Sequence, residues 1–181
     1  MRFKRSRRGV EAKLDRVEAH VLSRCATELL ELLGSAEDVS GDPLDALVGL
    51  SSDSTEPPDD PALARLFPDA YGDDAAAATE FRRYTESDLR AGKRAAASDV
   101  LVMLQPLLED GGKLVLDRDQ ADVWLSWLND VRLVIGTRLG VAEDMDEEPE
   151  DEATWQVMQV YGWLAWLQES LLSCVDPRPL G

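Results

Sequence analysis

The apolar positions of this chain recur first with a period of two. Val10-Glu11-Ala12-Lys13-Leu14 alternates apolar and polar, the pattern of a half-buried strand. The turn-prone Arg8-Gly9 ahead of it lets Phe3 to Ser6 pair back as a hairpin. The period then changes to 3.6. Asp15 reads as a helix N-cap, with Glu18 three residues on to complete a capping box. In the helix that follows, Val17, Val21, Cys25, Leu29, Leu32 and Leu33 fall on one stripe, and Gly34-Ser35 supplies the stop.

Residues 35 to 74 are rich in Asp, Ser, Pro and Gly, and 51–60 is the expected flexible loop. Two apolar islands, Leu44 to Leu50 and Ala62 to Phe67, are expected to dock as single helical turns. A helix is predicted around Ala75 to Arg83. A second one is predicted after Thr85 and Asp88, which stand in N-cap spacing, with Leu89, Ala96, Val100, Met103 and Leu104 inward and Pro106 at its end.

After the break at Gly111-Gly112, Lys113 to Leu116 reads as a strand, and Asp117 with Gln120 repeats the capping box. Leu14-Asp15-Arg16-x-Glu18-Ala19 thus has a counterpart in Leu116-Asp117-Arg118-x-Gln120-Ala121, a weak sign of a repeated strand-to-helix unit. The helix from Arg118 to Leu139 carries Trp124, Trp127, Leu128, Val131, Val134 and Ile135 on one face and ends at Gly140. The last helix, Ala153 to Cys174, has a core stripe of Val157, Val160, Tyr161, Leu164, Leu167 and Leu171. Trp155 and Trp166 fall opposite that stripe, with Trp163 between. Such a helix is either sandwiched within the bundle, the favoured reading, or shows an aromatic face to a partner or a second copy. The expected fold is therefore a mainly α, single-domain helical bundle over residues 1–181, with a small two- or three-stranded β element.

Charge changes what such a bundle can do. The 181 residues hold 36 acidic and 19 basic groups, a net −17. Five of the basic groups lie in the first eight residues, leaving a balance of −22 on the rest. An acidic body repels a polyanion, which argues against a protein coated in phosphate contacts. The basic tip, with Arg5, Arg7 and Arg8, is the weak nucleic-acid candidate. A solvated end, or one lying on the protein's own acidic surface, is favoured. Residues 1–8 and the run 143–152, with eight carboxylates in ten residues, are expected to be flexible. Ser6-Arg7-Arg8-Gly9 lacks the apolar stretch of a twin-arginine signal, and no apolar run is long enough to span a membrane. A cytoplasmic location is the expectation.

Candidate chemistry is sparse. One His and two Cys give too few parts for most metal or triad sites. No catalytic, cofactor or metal residue is assigned, and His20 is expected to be exposed. Cys25 and Cys174 are the redox candidates, 149 residues apart and without a CxxC motif. Cys25 lies on an apolar stripe, which predicts a buried, inert thiol, and Cys174 should be more accessible.

Three segments carry a resemblance. They are Glu80 to Arg90, Trp127 to Gly140 and Tyr161-Gly162-Trp163-Leu164, together with Arg8-Gly9-Val10. With them the chain resembles an uncharacterised actinobacterial-type domain family that includes the oxidative-stress regulator AosR. The resemblance implies a cytoplasmic, non-enzymatic regulator that responds to thiol oxidation. Its implied partner is a protein, the transcription machinery or a sigma factor, and no cofactor is implied. The alternative is a structural or adaptor protein linked to Clp proteolysis or cysteine biosynthesis, without redox sensing. This chain departs from a redox design in having no closely spaced cysteine pair. Asn129, Asp130, Arg132 and Arg138 sit within the most specific segment, where a packing role is favoured over a docking surface.

Overall fold

The computed structural model describes residues 1–34, 58–68, 75–141 and 151–176, with the backbone alone over 75–84. Strands β1 (Lys4–Ser6), β2 (Gly9–Leu14) and β3 (Gly112–Leu116) form one antiparallel sheet in the order β1-β2-β3. Lys4 pairs with Glu11 and Ala12 with Leu114, so Val10, Ala12, Leu14, Leu114 and Leu116 share the inner face. At the hairpin, Gly9 has φ +123°, and a Cβ there would lie 2.1 Å from the Leu116 carbonyl oxygen. Only glycine fits that close approach.

Five helices occupy the described residues: α1 (Arg16–Leu32), α2 (Pro61–Leu66), α3 (Ala75–Leu104), α4 (Arg118–Leu139) and α5 (Glu152–Val175). Both expected capping boxes are formed, Asp15 with Glu18 on α1 and Asp117 with Gln120 on α4. The two strand-to-helix units therefore stand side by side, joined through β2 and β3. Gly140 closes α4 in the left-handed conformation. The island at Ala62 to Phe67 forms α2, capped by Asp60, while the island at Leu44 to Leu50 lies outside the described residues. So do 51–57 and 142–150, which take in the greater part of two of the three segments expected to be flexible, 51–60 and 143–152.

Helix α4 is central, packing on α1, α2, α3, α5 and the sheet. Trp124 and Trp127 are fully buried and meet edge to face at 5.4 Å between centroids, with Phe3 against Trp124 at 5.9 Å. Arginines tie the helix ends together. Arg90 and Arg94 of α3 donate to the carbonyls of Leu33 and Leu30, and Arg118 donates to Val175. Each places a cation at a helix C-terminus, where the unpaired carbonyls and the helix dipole favour it.

Three expectations need correction. The face of α1 is rotated: Val17 is 70% exposed, and the buried positions are Ala19, Leu22, Cys25, Ala26, Leu29 and Leu33. Small alanines seat this helix, and a stripe drawn through large residues alone misses them. Helix α3 runs unbroken through Thr85 and Asp88, and Leu89 is 50% exposed while Ala97, Val100 and Leu104 are buried. Helix α5 is not sandwiched. Only Leu164, Leu167 and Leu171 are buried on it, and Val157 lies 41% exposed.

Candidate functional site: a thiol-floored cleft

Helices α1 and α4 each follow a strand of the sheet, and between them lies a cleft of about 280 Å³. Cys25, Glu28, Leu29 and Leu32 line it from α1, and Val131, Val134, Ile135 and Arg138 from α4. Val157 contributes to the lining from α5. The floor is apolar, with one carboxylate and one guanidinium at the rim. Arg138 donates to Asp60 Oδ2 at 2.6 Å, and this bond, more than the neighbouring backbone N–H groups, holds the Asp60 carboxyl below its usual range. The rim cation is thereby tied to the cap of α2.

Burial pushes the Cys25 thiol up to about 11, with Glu28 adding and Arg24 opposing. A thiol so shifted holds very little thiolate at neutral pH, and the thiolate is the nucleophile. Cys174 is half-buried in the last turn of α5. Its pKa is also raised by burial, against the pull of Arg5 and Arg2. Both thiols are free. Val157, which shares the cleft with Cys25, stands 17 residues before Cys174, roughly 25 Å along the helix axis. The cysteines occupy different surroundings, one in the cleft and one beside the N-terminal arginines. Alkylation of the native protein at neutral pH should therefore modify Cys174 alone, with Cys25 following only on denaturation. Mass spectrometry of the adducts reads this directly, and early modification of Cys25 would contradict its burial.

The other candidates scatter. Arg5 donates from Nε to the Cys174 carbonyl at 2.8 Å, capping α5, while Arg7 and Arg8 are exposed at the β1–β2 turn. The N-terminal ammonium meets Glu18. His20 is exposed, its Nδ1 bonded to the Arg16 carbonyl. Trp163 packs partly against the core, whereas Trp155 and Trp166 are 51% and 43% exposed.

Behind the cleft is an ion pair that the hydrophobic pattern missed. Asp130 is buried on the tryptophan face of α4, and Lys93 Nζ of α3 reaches its Oδ1 at 2.6 Å. Its Oδ2 has no hydrogen-bond partner among the described residues. Burial raises the Asp130 pKa, against the opposing effect of Lys93. On the opposite flank Arg132 donates to Gln168 Oε1 at 2.6 Å and stacks over Tyr161 at 5.4 Å. Asp130 and Arg132 thus pack helices together, and Asn129 is exposed. Sequence could signal only half of it: Asp130 borders the apolar stripe, and a carboxylate buried there requires a cation, but the stripe does not say which element supplies it.

Fold and cleft together define a small, mainly helical domain with a largely apolar cleft between α1 and α4, lined in part by a buried, unreactive thiol. The chain belongs to the DUF2017 family, a domain of unknown function, whose family model matches residues 1–175. It is 30% identical over 170 residues to the oxidative stress regulator AosR of Mycobacterium tuberculosis strain H37Rv and to that of Mycobacterium bovis. Each match covers 86% of this chain and 77% of the relative. A relative in Mycobacterium leprae is 31% identical over the same length. No solved structure matches the chain. No helix among the described residues is long and apolar enough to cross a membrane.

Proposed function

We propose that this protein is a regulator of the oxidative-stress response that acts on transcription through contacts with the transcription machinery, without catalysing a reaction. The observation that carries the reading is the similarity to regulators named AosR across 86% of the chain. The physical chemistry is in keeping with it. A net charge of −17 opposes solitary binding to DNA, so the contact that matters is with protein. The cleft between α1 and α4 offers an apolar floor for a partner's side chains, and its thiol is shielded rather than activated. A cytoplasmic location belongs to the same proposal.

Any response to oxidant in this chain runs through Cys174, the less buried thiol, or through the partner. The test is the transcript response to mild peroxide in a host strain lacking the protein. Induction should be blunted and restored by the wild type. An Ile135→Glu variant, folded by circular dichroism, should restore it poorly, since it places a charge in the cleft. Unchanged induction without the protein removes the regulatory reading. Full restoration by Ile135→Glu removes only the cleft.

A further inference from the structure

The outer face of α5 lacks charge and, among the described residues, lacks cover. From Ala153 to Gln168 there is no charged residue, in a chain that is 30% charged. The helix nevertheless buries only the side that carries Leu164, Leu167 and Leu171. On the other side Trp155, Gln159, Gly162 and Trp166 lie within a stripe about 60° wide at 100° per residue. Trp155 and Trp166 are 51% and 43% exposed. A Cβ built at Gly162 meets no atom of the described residues within 4 Å. An exposed glycine in mid-helix weakens the helix and, among the described residues of one copy, packs against nothing.

The spacing of these residues is palindromic. Trp155 and Trp166 stand equally far from the midpoint between Val160 and Tyr161, and so do Gln159 and Gly162. A two-fold dimer interface requires that kind of pattern, because residue i of one copy meets residue j of the other and the reverse. We propose that two copies of this chain pair antiparallel through the outer faces of α5, about a two-fold axis at that midpoint. Trp155 of each copy then stacks on Trp166 of the other. Gln159 of each lies over Gly162, where the missing side chain lets the backbones approach. A heterologous partner gives no reason for the symmetry. Glu152 and Glu169 occupy the two rims at the same spacing, so each end of the dimer sets one glutamate against another.

Those rims make the register testable. Sedimentation velocity of the full chain, up to about 200 µM, should give twice the 20.0 kDa chain mass. Trp166→Glu should be monomeric with an unchanged helical spectrum. Gly162→Arg should also be monomeric, and it keeps the fold because its side chain meets none of the described residues of the single copy. Glu169→Lys should tighten the dimer about fivefold by converting both repulsive rims into ion pairs. A wild-type chain that stays monomeric over this range overturns the proposal. So does a dimer that survives both Trp166→Glu and Gly162→Arg, or one that Glu169→Lys weakens. The inference does not depend on the regulatory reading, and either one can fail alone.

Discussion

Replacing Trp127 by alanine is expected to lower the free energy of unfolding by about 3–5 kcal/mol, the usual cost of emptying a buried tryptophan site. Trp127 is fully buried on the central helix and meets Trp124 edge to face. Its replacement removes apolar contacts on the helix that every other described helix touches. The surrounding side chains come from separate elements and relax only partly, so much of the cavity persists. Trp127→Phe keeps most of the volume and should cost about half as much. Denaturant unfolding followed by circular dichroism measures both. A loss below about 1 kcal/mol for Trp127→Ala would mean that the site is more exposed or more plastic than described.

Removing Lys93 is the second large effect, and it should depend on pH. Lys93→Ala leaves the buried Asp130 carboxylate without its cation, which typically costs about 3–5 kcal/mol when a buried pair is broken. Burial already holds the folded pKa of Asp130 above the ordinary carboxylate value, against the pull of Lys93, and without Lys93 it moves further up. A carboxyl with a raised folded pKa binds more protons folded than unfolded between the two values. Stability therefore increases as pH falls through the folded pKa toward the unfolded value near about 3.9. The deficit of Lys93→Ala should be greatest at neutral pH and shrink on acidification. Asp130→Asn, which buries no charge, should cost less than Lys93→Ala at pH 7 and lack this recovery. Unfolding curves at pH 7.5 and pH 5 separate the cases, and a Lys93→Ala deficit independent of pH would contradict a charged Asp130.

Local chemistry made much of this fold legible. Asp15 with Glu18 and Asp117 with Gln120 mark helix starts because each box satisfies backbone N–H groups within four residues. Gly140 marks a stop for an equally local reason, its left-handed φ of 65°. The tryptophan stripe of α4 was legible too, since large apolar residues at helical spacing have few other uses. What stayed hidden depends on distant partners. Val17 is exposed because the close seat of α1 is taken by Ala19 and Ala26, and alanine carries little hydrophobic signal. The N-cap spacing at Thr85 and Asp88 was overruled by continued helix on both sides. Lys93 and Asp130 lie 37 residues apart, and no local rule joins them.

The site was legible in the same uneven way. Cys25 was expected to be buried, and it is, at 9% exposure. Its place in a cleft was not readable, because the cleft exists only where α1, α4 and α5 meet. The exposure of Trp155 and Trp166 could not be settled from periodicity, since a two-sided apolar helix suits either a buried sandwich or an interface.

The regulatory reading meets its most direct test in a purified transcription reaction. Host RNA polymerase on a peroxide-inducible promoter, with and without this protein, gives the transcript yield. The account predicts that adding the protein changes that yield, and that Ile135→Glu reduces the change. Identical yields across the full range of protein, in oxidised and reduced buffer alike, would contradict it.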